Sequence, residues 1–62
     1  MELYIGTRLV HPTYGNGVII GIEERYYEIY FSDHGEKEIS KTFDNLVIVK
    51  QIEKPEEDTI SL

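Results

Sequence analysis

Apolar and polar residues alternate along most of this chain, which is the pattern of short β-strands. The segments that carry it are residues 8–11, 18–24, 27–31, 36–40 and 46–50, and the second is rich in β-branched residues. No longer segment repeats its apolar residues at helical spacing. The pattern therefore predicts five short strands and no long helix.

Turn-forming residues separate these segments. Residues 12–17 contain two glycines and an asparagine, and residues 32–35 read Ser-Asp-His-Gly, which is typical of a type I turn followed by a left-handed glycine. Residues 41–45 indicate a short helical turn before the last strand. Gly21 interrupts the second strand, which indicates a bulge or sharp bend of the kind a small barrel needs to close. We therefore expect an all-β fold, a small five-stranded antiparallel barrel.

Strand alternation also predicts which side chains face the core. It places Val18, Ile20 and Ile22 on the inner face, together with Ile29 and Phe31 of the next strand. The residues then predicted to point outward are Val10, Ile19, Tyr30 and Val47. Scattered apolar residues are normal on a protein surface, but this set is equally compatible with an apolar docking strip, because small barrels commonly bind through a sheet face or an edge strand.

A chain of 62 residues holds one domain, which buries only ~60% of the surface that its unfolded chain exposes. We assign residues 1–50 to the barrel. Residues 51–62 contain Pro55 and an acidic run, and they indicate an acidic flexible tail or the start of a linker to a larger parent protein. The sequence shows no cysteine, no signal peptide and no apolar run of membrane-spanning length, so we expect a cytoplasmic protein without membrane contact.

Acidic residues outnumber basic ones by twelve to six, which gives a net charge of −6. Non-specific nucleic-acid affinity depends on Lys and Arg displacing counterions, so this balance counts against a general phosphate-binding surface. A local basic patch is still compatible with it. The candidate residues for nucleic-acid contact are Arg8, Arg25, Lys37 and Lys41. Glutamates adjoin Arg25 and Lys37 in the sequence, so we expect any such contact to be weak.

Few residues could carry catalysis. His11 precedes a proline at the end of a strand, and we expect its ring to form a hydrogen bond across residues 12–17, which we call the glycine loop. The other histidine, His34, is predicted to be an exposed turn residue. No nucleophile stands at a recognised spacing from a base, and the acidic residues lack the spacing of a calcium loop. The sequence therefore predicts no enzymatic activity, no cofactor and no metal site.

Aromatic residues are frequent, with five tyrosines and two phenylalanines. Tyr14 lies in the glycine loop, and Tyr26, Tyr27 and Tyr30 cluster around the second predicted hairpin. An aromatic cage for a methylated side chain would use residues of this kind. The interpretation we favour is core packing combined with a surface that contacts a protein.

Residues 6–22, Gly-Thr-Arg-Leu-Val-His-Pro-Thr-Tyr-Gly-Asn-Gly-Val-Ile-Ile-Gly-Ile, resemble the Tudor-like domain at the C-terminus of UvrD/PcrA-type DNA helicases. That domain reads G-x-x-V-x-H-x-x-aromatic-G-x-G-x-V, and Gly-Glu-Lys at residues 35–37 continues the match. The resemblance covers about residues 5–49 and extends more distantly to the RNA-polymerase-binding modules of CarD and of the transcription-repair coupling factor. It implies a bacterial SH3/Tudor-like barrel that docks on RNA polymerase or touches nucleic acid. No helicase motif is present, so no ATPase activity carries over.

These observations predict a non-catalytic interaction module that acts as a monomer. Its expected partner is a protein, either RNA-polymerase-like or another domain of its own parent chain. The alternative is a nucleic-acid-binding barrel that is accessory to a DNA repair or transcription protein. The candidate partner-binding residues are Val10, Tyr14, Ile19, Tyr26 and Tyr30.

Overall fold

The computed structural model describes residues 3–52, which form one antiparallel sheet of five strands. The strands are β1 (Arg8–His11), β2 (Gly15–Ile22), β3 (Tyr26–Phe31), β4 (Gly35–Ser40) and β5 (Val47–Lys50), and their order across the sheet is β4-β3-β2-β1-β5. This confirms the predicted all-β fold with five antiparallel strands. Most of the predicted acidic tail, residues 53–62, lies outside the described residues.

Local turn chemistry explains where the strands begin and end. Gly15 and Gly35 open β2 and β4 at φ values of 82° and 78°, a left-handed conformation that a side chain disfavours. Between β4 and β5 the chain turns once, where the Phe43 N–H donates to the Ser40 carbonyl over 3.0 Å. Residues 3–52 contain no helix, and hence none long and apolar enough to cross a membrane.

The core lies on the inner side of the curled sheet. Its fully buried members are Leu9, Ile19, Ile29 and Phe31, which come from three neighbouring strands. Further apolar residues are buried beside them or packed against them, namely Leu3, Tyr14, Tyr27, Ile39, Phe43, Leu46 and Ile48. Burial of this apolar surface is the main stabilising contribution available to a domain of this size.

The predicted facing of β2 is wrong by one residue at Ile19. Ile19 was expected to point outward, but it is completely buried, whereas Ile20, expected to point inward, is 43% exposed. Val18 was also expected to point inward, but it lies opposite the exposed Tyr30 on the outer face. The run from Val18 to Ile20 is apolar throughout, so alternation alone could not assign its faces. Pairing decides the matter, because Ile19 lies opposite Ile29 of β3 and opposing residues share a face of the sheet.

The predicted bulge at Gly21 is present. The β2–β3 register shifts between Ile19 and Gly21, so that Ile22 then lies opposite the buried Tyr27. Ile22 therefore belongs to the inner face, as predicted, although at the end of its strand it is 38% exposed. The bulge adds local twist to β2, which contributes to the curl of the sheet.

The two edge strands, β4 and β5, do not pair with each other, so the sheet is barrel-like but open along one seam. β4 carries Glu36 and Glu38 on its outer face, and Lys37 lies opposite the buried Ile29 on its inner face. Charged side chains that point inward as well as outward from an edge strand oppose its pairing with further strands. The outer face of the sheet is therefore the more available surface for contact.

Candidate functional site

A groove of about 300 Å³ lies on the outer face of the sheet. Val18 and Arg8 line it from the central strands β2 and β1, with Tyr30 of β3 and Val49 of β5 on either side. Asn16 and Ser32 add polar groups at one end. We call this feature the outer groove. It combines exposed apolar side chains with a few polar groups, which is the composition of a contact site.

Strand register places five residues in one line across the outer face of the sheet, and the middle three of them line the outer groove. Tyr30 lies opposite both Glu36 and Val18, Val18 lies opposite Arg8, and Arg8 lies opposite Lys50. We call this line the outer row; from β4 to β5 it reads Glu36, Tyr30, Val18, Arg8 and Lys50. Tyr30 forms one side of the groove and is 49% exposed, so its ring is available for contact.

The basic end of the outer row consists of two like charges that face each other. Arg8 and Lys50 are cross-strand partners and both are exposed. The register between β1 and β5 shifts next to this pair, between Arg8 and Leu9, so the pairing is irregular. Like charges on cross-strand partners repel each other, which disfavours this pair in the isolated domain. An anionic group placed between the two side chains would remove that repulsion. The pair is therefore a place where an acidic group of a ligand would be stabilised.

The other predicted basic residues lie elsewhere on the molecule. The Lys37 Nζ lies 5.2 Å from the centroid of the Tyr14 ring, and the Lys41 Nζ lies 5.3 Å from that of Tyr27. Each lysine thus makes a cation–π contact within the domain. Arg25 lies in the turn between β2 and β3. The four candidate residues for nucleic-acid contact therefore do not form one basic surface.

His11 holds the glycine loop together, as its sequence position predicts. Its Nδ1 accepts hydrogen bonds from the backbone N–H groups of Thr13, at 2.9 Å, and Tyr14, at 3.2 Å. An accepting Nδ1 leaves the proton of the neutral ring on Nε2. The ring also stacks on Phe43, with centroids 4.8 Å apart and planes 5° from parallel. His11 is therefore a structural residue, buried among aromatic rings.

Tyr14 belongs to the same aromatic cluster. Its ring lies 5.2 Å from that of Phe31 and 5.4 Å from that of His34, measured between centroids. The predicted exposure of His34 is confirmed. Because Tyr14 packs against Phe31, which is wholly buried, it lies on the inner side of the sheet and does not line the outer groove.

A second cavity, of about 230 Å³, lies beside the open seam of the sheet. Its lining is mostly core residues, including Leu3, Tyr27, Phe43 and Ile48, with Lys41 and Asp44 as its charged members. Lys41 is the lysine that already lies against Tyr27. This cavity is a gap in core packing that the domain's own lysine adjoins.

Tyr26 lies at the acidic end of the β3–β4 pair. The negative charge of Glu38 is the largest of the causes that raise the pKa of Tyr26 above its ordinary value of 10.0, followed by burial and by Glu23 and Glu28. Glu28 and Glu38 are themselves cross-strand partners. This acidic side of the outer face lies two or more strands away from the basic pair on β1 and β5.

Of the predicted partner-binding residues, the structure brings only Tyr30 to the outer groove. Val10 is half-buried and pairs with Val47 and Asn16, one row further along the same face. Tyr14 and Tyr26 lie elsewhere, and the prediction for Ile19 is wrong because a completely buried side chain cannot contact a partner of the folded domain. Arg8, predicted for nucleic acid, does line the groove.

Sequence reasoning placed Val18 on the inner face, which is wrong, and it did not single out Val49, which lines the groove, or Lys50, which pairs with Arg8. For Val18 a signal existed, because an outward Tyr30 in a β-hairpin requires an outward residue opposite it. For Val49 and Lys50 the chain offered none, since their positions depend on the pairing of β5 with β1, about forty residues away.

Residues 3–52 hold no group of acidic and histidine side chains that could bind a metal ion.

Comparison with known proteins returned no matching family model, curated protein or solved structure.

Proposed function

We propose that this domain is a non-catalytic interaction module that docks on a protein partner through the outer groove. The observation that carries the proposal is the groove itself, in which an exposed tyrosine and two valines adjoin a pair of cations. Burying such apolar side chains against a partner contributes about 25 cal/mol per Å² of apolar surface removed from water. A carboxylate of the partner would also relieve the repulsion between Arg8 and Lys50.

The resemblance of residues 6–22 to the Tudor-like domains of UvrD/PcrA-type helicases supports RNA polymerase as the class of partner. Another domain of the same parent chain would suit the same groove. In either case the central contact is apolar, and the cations fix the orientation of the partner, because charges set specificity and association rate more than affinity.

Binding to purified bacterial RNA polymerase core enzyme tests the proposal. Immobilised domain should bind the polymerase, and Tyr30→Ala and Arg8→Ala should each weaken binding about tenfold or more, the loss expected at a contact residue worth about 1.4 kcal/mol or more. Arg25→Ala is the matched control, because Arg25 is also an exposed arginine but lies in the β2–β3 turn. Binding that survives both groove substitutions would contradict docking through this surface.

Nucleic-acid binding is the second candidate, since Arg8 and Lys50 lie in line with an exposed tyrosine ring that could stack on a base. The neighbouring carboxylate of Glu36 and the absence of other basic residues along the described outer row make this the weaker interpretation. A phosphate backbone that passed beyond Tyr30 would meet glutamates on β4.

A further inference from the structure

The outer row has a charge order that is complementary to itself. It begins with an acid, Glu36, continues through Tyr30, Val18 and Arg8, and ends with Lys50. Val18 is on β2, the central strand of the sheet, so the acid and the terminal lysine each lie two strands away from it. Tyr30 and Arg8 each lie one strand away, on opposite sides.

A two-fold axis that runs parallel to the strands, between two outer faces brought together at Val18, would therefore place opposite chemistries against each other. Glu36 of one copy would meet Lys50 of the other, and Tyr30 of one copy would meet Arg8 of the other. Each of these contacts would occur twice, as in any isologous interface. A tyrosine ring against a guanidinium is a favourable cation–π arrangement. Glu36 of one copy would also neutralise the charge of Lys50 of the other, which lies opposite Arg8 within its own copy.

We propose that a second copy of this chain occupies the outer groove, forming a weak symmetric dimer that masks the docking surface. The exposed Tyr30 of each copy enters the groove of the other and covers its Arg8, while Val18 packs against its symmetry mate. This proposal rests on the same groove as the proposed function, and it adds the regulation of that groove by self-association. It also replaces the monomer that the sequence predicts.

The dimer should be weak. One row of five residues a side is small beside the ~20–30 residues a side of a standard protein interface. The net charge of −6 adds a repulsion between copies that the row must overcome. A dissociation constant of roughly 0.1–1 mM is the corresponding expectation.

Analytical ultracentrifugation with charge-reversed variants tests the proposal. The wild-type chain should shift from monomer toward dimer as its concentration rises to about 1 mM. The double variant Arg8→Glu with Lys50→Glu should stay monomeric, and so should Glu36→Lys with Glu38→Lys. An equimolar mixture of the two doubles should again associate, because opposite charges then meet across the interface.

Arg25→Glu is the control, since it reverses a cation outside the outer row and should associate like the wild type. Circular dichroism of each variant checks that the sheet is intact. A wild-type chain that stays monomeric, doubles that associate alone as strongly as the wild type, or a mixture that stays monomeric would each overturn the dimer.

The same variants separate this proposal from the proposed function. Glu36 and Glu38 do not line the groove, so their double variant should lose self-association and still bind RNA polymerase. If the wild-type chain self-associates but does not bind the polymerase, that result would count against the proposed partner alone.

Discussion

At the scale of single residues, His11 shows how one side chain serves two elements. It ends β1, and its Nδ1 ties down the backbone of the loop that leads into β2. Its ring lies between Phe43 and Phe31, stacked on the former and edge-on to the latter at 5.7 Å. A side chain that bonds the loop and packs in the aromatic cluster couples the two.

Replacing His11 should therefore cost far more stability than replacing the other histidine. We expect His11→Ala to lower the free energy of unfolding by ~1–3 kcal/mol, because two backbone donors lose their acceptor. The matched control His34→Ala should change it by less than about 0.5 kcal/mol, since His34 is exposed. Urea denaturation of both variants measures the difference, and equal effects would contradict the role assigned to His11.

At the scale of the elements, β2 contains three glycines, of which Gly17 and Gly21 are needed for different reasons. A Cβ on Gly17 would lie 2.7 Å from the Phe31 ring and 2.8 Å from Ile29, both of which are buried and cannot move aside. A Cβ on Gly21 would collide with the side chain of Glu28, whose carboxylate lies over the bulge. That carboxylate is the end of a flexible side chain that water can solvate.

Alanine substitutions at Gly17 and Gly21 should therefore differ in how much they destabilise the domain. We expect Gly17→Ala to destabilise the domain by ~1–3 kcal/mol through overpacking of the core. Gly21→Ala should cost less than about 1 kcal/mol, because Glu28 can swing toward solvent. Thermal denaturation of the pair checks the order, and a larger loss at Gly21 would show that the bulge itself requires glycine.

The β3–β4 pair also predicts a dependence of stability on pH. The pKa of Tyr26 is raised above 10.0 in the folded domain, chiefly by the charge of Glu38. As the pH rises past 10, the unfolded chain therefore loses this proton before the folded one does. The associated stability is complete below that pH and is lost as the pH rises through the folded pKa.

Tyrosinate absorbance during an alkaline titration measures this effect. Subtracting the titration of Tyr26→Phe from that of the wild type isolates Tyr26, whose midpoint should lie above 10.0. In a Glu38→Gln background the midpoint should fall, because the largest cause of the shift is gone. An unchanged midpoint in that background would assign the shift to burial or to the other glutamates.

At the scale of the whole molecule, the arrangement of charge matters more than its sum. The outer face is acidic along β4 and basic where β1 meets β5, with tyrosine and valine between. Lys37 and Lys41 lie against tyrosine rings of the domain itself. Residues 3–52 therefore offer opposite charges to a structured partner, and no extended basic path to a phosphate backbone.

We accordingly expect no sequence-independent DNA or RNA binding tighter than ~100 μM at physiological salt. Fluorescence titration of labelled single- and double-stranded oligonucleotides at low and moderate salt measures it. Micromolar binding with a steep salt dependence, lost in Lys37→Glu or Lys41→Glu and kept in Tyr30→Ala, would favour the nucleic-acid function instead.

The amino-acid sequence by itself determined the number of strands, their turns and the bulge in β2. It also identified Ile29 and Phe31 as core residues, because in β3 apolar and polar side chains alternate and the inner face is unambiguous. His11 was assigned correctly for a similar reason. A histidine directly before a proline and a glycine loop has backbone donors within reach, so the interaction is local.

Only the tertiary structure decided the facing of Ile19 and the composition of the outer groove. In a strand that is apolar on both faces, a shift by one residue leaves the sequence pattern unchanged, and pairing with β3 alone fixes the register. The groove needs side chains from β1, β2, β3 and β5, and the contact of β5 with β1 joins segments far apart in the chain. Such long-range pairing depends on how the sheet curls around its core, which alternation along a single strand does not encode.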